Sequence, residues 1–399
     1  MRALPVLPWV CSAFLAASLF SHTIAARLLL LACGAALAGV ALWQERGTLR
    51  ALPPIWWAFA LWAAWAALSM AWSIEPERTA KEFRNEVVYT AVALWVCFVA
   101  AQASNAARVV LPVLISAITA AIAIALWTFS MSWEDYIAGP HSGPGDHSSA
   151  LLTLLPCLVM AAWYGWRVGW PRRWLVLASL LGMLFAASAY ATLNRTVWLG
   201  FAVQLVLIGA LLLRAERPRI TRARIVGIGV GLFAVVAVTL FSVQETREAT
   251  SVGKTLQADN RLLLWPEIIE QIEAKPLLGY GFGRGLLREP LREDFGAIDR
   301  HLWHAHNIVL EALIQLGIPG LALLALLLGL LAREGWRYAR SMDPRAMACG
   351  ISLIAMLAGM LTRNMTDTLF VRQNALLFWG MAGVLLGLPP RHGSTVAPQ

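Results

Sequence analysis

Charge is scarce in this chain. Asp, Glu, Lys and Arg make up 14% of its 399 residues while 59% are hydrophobic, a balance that excludes an ordinary soluble domain. Cysteine is sparse as well. Cys11, Cys33, Cys97, Cys157 and Cys349 all fall inside apolar runs, and none belongs to a CxxC pair. That argues against a disulfide framework or a thiolate metal centre. The alternation of a transmembrane strand is missing, because the apolar residues come in continuous runs; a β-barrel is excluded. There is no internal repeat, no low-complexity linker and no soluble basic domain. Nucleic acid is therefore a poor partner for the net charge of +9.

What the chain has is membrane span. The apolar runs are about 17–25 residues long, the length that crosses a bilayer as helix. The fold class is an all-α polytopic integral membrane protein with about a dozen spans. These are expected near residues 8–21, 24–43, 54–73, 87–102, 108–130, 147–166, 174–190, 196–213, 225–243, 304–332, 346–363 and 368–388. The first resembles a signal-peptide core, but a second span follows at once, so both read as membrane helices. Residues 1–243 form an N-terminal block of spans, 244–303 one large outer loop, 304–388 a C-terminal block and 389–399 a short polar tail. Arginine sets the orientation. Clusters such as Arg214, Arg217, Arg219, Arg222 and Arg224, or Arg333, Arg337, Arg340 and Arg345, lie on one side. The other side carries only scattered charges, among them Arg27, Arg78, Lys81, Arg84, Arg195, Arg363 and Arg372. By the positive-inside rule both termini are cytoplasmic and the large loop faces outward. The 19 tryptophans suit membrane interfaces and, with arginine, anionic lipid head groups.

Polar chemistry concentrates on the outer side. Residues 75–86 mix both charge signs and read as a short helix on the membrane surface. In the large loop, Asp259-Asn260 can cap a helix that opens at Arg261 and stops before Pro276. Gly279-Tyr280-Gly281-Phe282-Gly283 is a tight turn, and Arg284, Arg288 and Arg292 follow at spacing four. His141, Asp146 and His147 read mainly as part of a Gly/Pro-rich turn. Arg195 stands alone between two long spans. An arginine at hydrocarbon depth costs roughly 2.5–3.5 kcal/mol, so it either snorkels to the interface or holds an anion. Arg261 opposes the dipole of the helix it opens, as either a solvated charge or an anion ligand. His301, His304 and His306 are spaced three then two, unlike the one-face pattern of helical zinc sites. A general base needs only one neutral imidazole, and a capping role is the alternative. Arg363, Asp367 and Arg372 between the last two spans read as an ion-paired group or as cavity lining.

His306-Asn307, then an apolar stretch closing at Gly317-Ile318-Pro319-Gly320, resembles the hallmark of the O-antigen ligase (WaaL) and O-antigen polymerase (Wzy) superfamily. Arg195, Arg261 and the glycine-rich turn match that family's pattern in order and place. The resemblance implies a GT-C-like glycosyltransferase of the bacterial inner membrane, with its active site facing the periplasm and no cofactor, metal or ATP. The implied donor is O-antigen on undecaprenyl pyrophosphate, and the implied acceptor is a sugar hydroxyl of lipid A–core. It makes His306 the base and places Arg195 and Arg261 on the pyrophosphate. Asn307 would orient the base, Tyr280 would touch substrate and Asp367 would hold an arginine or a sugar hydroxyl. His304 and Arg84 complete the supporting set, and His304 stays open as an alternative base. Polymerases and protein O-oligosaccharyltransferases share the histidine motif; the single large loop favours the ligase. A lipid-linked oligosaccharide flippase would carry inverted repeats and broken midplane helices, which the sequence lacks.

Overall fold

A computed structural model describes residues 4–45, 49, 53–216, 261–284, 286, 304–366 and 372–389. Every regular element among the described residues is a helix. The elements are α1 (Leu7–Ala17), α2 (Ile24–Gln44), α3 (Ile55–Leu68), α4 (Pro76–Glu82), α5 (Tyr89–Ala100), α6 (Ala106–Met131) and α7 (Trp133–Ala138). They continue with α8 (Gly143–Arg167), α9 (Arg172–Ala191), α10 (Arg195–Ala215), α11 (Arg261–Ala274), α12 (Ile308–Ala339), α13 (Pro344–Asn364) and α14 (Arg372–Gly387). Local chemistry sets several starts. Asn194, Asn307 and Asp343 cap α10, α12 and α13 with side-chain oxygens that accept backbone N–H bonds. Pro76 and Pro344 occupy first-turn positions, where a missing N–H leaves no helical bond unmade.

Among the described residues eight helices are long and apolar enough to cross a membrane. The expected dozen is thus matched in part: α3 and α14, with 14 and 16 residues, fall short of that length. The span expected near 225–243 lies outside the described residues. The first expected span ends early: α1 has 11 residues, which at 1.5 Å per residue reach only about 16 Å. The surface helix expected over 75–86 is not separate. Its residues continue through a π-helical turn, Phe83–Val88, into α5 as one helix. The wider turn rotates the chain so that Glu86 is buried while Arg84 stays exposed. His147 and Asp146, expected in a turn, lie in the first turn of α8.

Core packing follows the membrane rule that small residues let backbones approach. α14 is buried from Asn374 to Gly387. A side chain at Gly383 would strike the Leu94 carbonyl of α5 at 2.4 Å, so these two helices meet backbone to backbone. α12 and α13 meet in the same way at Gly335 and Gly350.

The kink in α12 is the joint that positions the site. Gly317 has φ 66 and ψ −170, a conformation essentially confined to glycine. Pro319 cannot donate to the carbonyl of Gln315, so Gly281 N–H donates there instead, at 3.0 Å. Ile318 N–H turns to the Pro276 carbonyl at 2.8 Å, which releases the Ile314 carbonyl to accept from Tyr280 N–H at 2.9 Å. The Leu316 carbonyl accepts from the Trp65 indole at 2.9 Å. The glycine-rich turn and the Gly317–Gly320 motif are thus two halves of one joint. Gly317→Ala is expected to destabilise the protein by about 3 kcal/mol or more. Its β-carbon would sit 2.3 Å from the Leu277 carbonyl oxygen. Thermal unfolding of the purified variant in detergent checks this; an unchanged midpoint would show that the joint yields.

Candidate active site

The site is built on the turn that precedes α12. Asn307 Oδ1 accepts from Val309 N–H at 2.9 Å and Leu310 N–H at 3.2 Å, and its amide donates to the Met365 carbonyl at 3.0 Å. Ala305 is pinned from both sides. Its N–H donates to Glu311 Oε2 at 2.8 Å, and its carbonyl accepts from the Trp265 indole of α11 at 3.0 Å. Between these fixed neighbours His306 takes φ 50, in the left-handed region. Histidine visits that region more readily than most residues, and here the surrounding bonds impose it. Both His306 ring nitrogens are shielded from solvent.

His304 stacks obliquely on His306, with ring centroids 3.7 Å apart. Its Nε2 lies 2.6 Å from the Arg284 guanidinium. A guanidinium only donates, so Nε2 accepts, and the proton of a neutral ring sits on Nδ1. The 3.2 Å approach of His306 N–H to that Nδ1 is then a contact of two donors and not a second bond. The basic nitrogen of His304 is committed to Arg284.

Three carboxylates from three helices, Glu86, Asp146 and Glu311, lie within electrostatic reach of this cation. Glu311 is buried, bonds Gln315 Nε2 at 2.6 Å and also feels His306. Glu86 accepts from the backbone N–H of Arg372. Asp146 accepts from Gln373 at 2.7 Å and Asn374 at 2.8 Å. Buried carboxylates are tolerated only when bonded and balanced, and arginines 27, 284 and 372 supply the balance around Asp146. These groups converge at one end of the helix bundle.

Arg195 opens α10 at the same end. The link runs from Asn307 to Met365, then two residues back to Arg363, whose Nη1 donates to Thr196 Oγ1 at 2.8 Å. Arg195 is half-buried, and among the described residues no carboxylate pairs with it. Arg261 opens α11, one turn before Trp265 and on the same side of that helix. Its side chain lies outside the described residues, as do Asp367, His301, Arg288 and Arg292.

Tyr280 fastens the glycine-rich turn. Its hydroxyl donates to Gln271 at 2.7 Å, and Lys275 sits 4.4 Å from its ring centre. Burial raises its pKa, so it remains a donor. Arg84 is exposed on the π turn. His141 is fully buried against Tyr136 and His147, and burial lowers its pKa to about 4, so it stays neutral. Among the described residues no three His, Cys, Asp or Glu side chains are grouped to hold a metal ion.

Sequence reasoning gives Arg284 only as the first of three arginines at spacing four; the residue lies in a turn and bonds His304. The same reasoning leaves Glu311 without a partner. The available signals were the position of Arg284 directly after the glycine-rich turn and of Glu311 one helical turn after Asn307.

Residues 180–325 match the family model Wzy_C, described as O-antigen ligase. This part of the chain is similar to the O-antigen ligase family. The matched stretch holds Arg195, Arg261, the glycine-rich turn, Arg284, both histidines and the α12 joint. The exopolysaccharide production protein ExoQ of Rhizobium meliloti (strain 1021) is 27% identical over a stretch that covers 37% of this chain and 41% of the relative. The chain thus spans about two fifths of the length of the curated relative it matches.

Proposed function

We propose that the protein is an O-antigen ligase. It transfers an O-antigen chain from undecaprenyl pyrophosphate to a sugar hydroxyl of lipid A–core, at the periplasmic face of a bacterial inner membrane. What supports this reading is His306, held in a pinned left-handed turn next to α11 and His304, whose ring Arg284 bonds, with Arg195 opening α10 beside the Thr196–Arg363 bond.

In the reaction the acceptor oxygen attacks the anomeric carbon of the donor sugar while His306 removes its proton. The bond from that carbon to the pyrophosphate oxygen breaks, and the electron pair leaves with undecaprenyl pyrophosphate. Arg195 and Arg261 offset the charge of the leaving group with their planar, permanently charged forks. A single displacement inverts the anomeric centre. Arg284 occupies His304, and Glu311 anchors the backbone next to His306. The step needs neither metal nor nucleotide.

The relative's role in exopolysaccharide production favours a second reading, in which the acceptor is another lipid-linked saccharide and the product a longer chain on the donor lipid. One experiment separates the two. The purified protein is reconstituted with undecaprenyl-pyrophosphate-linked O-antigen and lipid A–core, in EDTA and without ATP. Transfer to the core is the expected result. Extension of the donor alone establishes the polymerase, and dependence on added metal or ATP overturns the mechanism.

A further inference from the structure

An apolar cavity lined by described residues lies away from this site. It encloses about 650 Å³ between α6, α8, α9, α13 and α14. Leu114, Ile118, Leu154, Leu158, Leu181 and Phe185 line its depth. Along α8 its wall runs from Leu154 to Tyr164, about 15 Å at 1.5 Å per residue, and continues past the helix end to Val168. That is long enough for much of an extended acyl chain. Its mouth carries different chemistry. Arg108 and Arg345 border it, with Tyr164, Trp170 and Trp174 beside them. Trp174 and Val168 are each 49% exposed, so the mouth opens outward. Neither arginine has an ion pair among the described residues.

The mouth is at the opposite end of the bundle from the histidines. Arg345 lies in the first turn of α13 and Arg363 in its last, separated by about 27 Å of helix. Aromatic rings and arginines at one level, above an apolar slot, form the layering of a lipid head group over its tail. Two guanidiniums without a balancing carboxylate select a head group with net negative charge over one that is zwitterionic. We infer that this cavity binds one anionic phospholipid, with its phosphate held by Arg108 and Arg345 and an acyl chain lying along α8.

The test is native mass spectrometry of the full-length protein in detergent, with dioleoylphosphatidylglycerol and dioleoylphosphatidylcholine added in equal amounts. The wild type is expected to retain one phosphatidylglycerol in preference by about tenfold. The R108Q/R345Q variant is expected to lose that preference, and both substitutions lie on exposed residues. Ala161→Trp, which fills the slot from its α8 wall, is expected to remove the retained lipid. Thermal unfolding of this variant confirms that it is folded; if it is not, the arginine variant decides. Equal retention of both lipids by the wild type overturns the inference. So does undiminished phosphatidylglycerol binding in a folded Ala161→Trp, which would mark annular lipid elsewhere. Absence of retained lipid overturns it as well, and would fit a slot filled by the chain itself.

Discussion

His306→Asn is expected to lower the rate of transfer by about 10²–10⁴-fold, the usual contribution of a general base. At 1.36 kcal/mol per tenfold this is roughly 3–5 kcal/mol of transition-state stabilisation. Asparagine is the informative replacement because His306 sits at φ 50. Asn tolerates the left-handed region, whereas alanine adds strain that clouds the result. The turn should survive, since Ala305, Asn307, Trp265 and Glu311 fix the backbone on both sides of His306. Initial rates in proteoliposomes report the loss, and an unchanged thermal midpoint shows that it is chemical. His304→Ala is the paired control. It removes the acceptor of an Arg284 bond but no basic nitrogen that the mechanism uses, so its loss should be smaller. The reverse order of the two losses would make His304 the base.

The control matters because sequence alone left the two histidines open. They are two residues apart, and nothing in their spacing says which ring has a cation against its lone pair. That depends on Arg284, twenty residues upstream and delivered by the fold of the glycine-rich turn. The helical character, most span positions and the start of α11 at Arg261 were legible, because hydrophobic run length and caps are local signals. Both halves of the α12 joint were visible as motifs. Their union was not, since the bonds from Gly281 to Gln315 and from Ile318 to Pro276 are set by tertiary packing. The π turn at Phe83–Val88 escaped for a related reason: its residues are ordinary helix formers, and the wider turn accompanies the burial of Glu86 against Arg372. The resemblance makes Asn307 the residue that orients the base, and its side chain caps α12 and ties the turn to Met365. Its influence on His306 runs through the backbone.

Arg195→Ala is expected to reduce transfer by about 10²–10³-fold, the range seen when one preorganised donor to developing negative charge is removed. The loss should fall on the turnover rate as well as on the donor's KM, because the charge on the leaving pyrophosphate grows in the transition state. Arg195→Lys keeps the charge but not the planar fork, so it should recover only part of the rate. Stability is expected to move the other way. Arg195 is the first residue of α10, where a cation opposes the positive end of the helix dipole at a cost of about 0.3–1 kcal/mol. Among the described residues no carboxylate offsets it, and the neighbouring Thr196 is already engaged by Arg363. Without substrate, Arg195→Ala should therefore unfold at an equal or slightly higher temperature than the wild type. An arginine kept for structure would give a lower midpoint and a rate loss no larger than the loss of folded protein. A site that binds an anion accepts local instability in the empty state and recovers it when the anion arrives at a helix N-terminus with a guanidinium beside it.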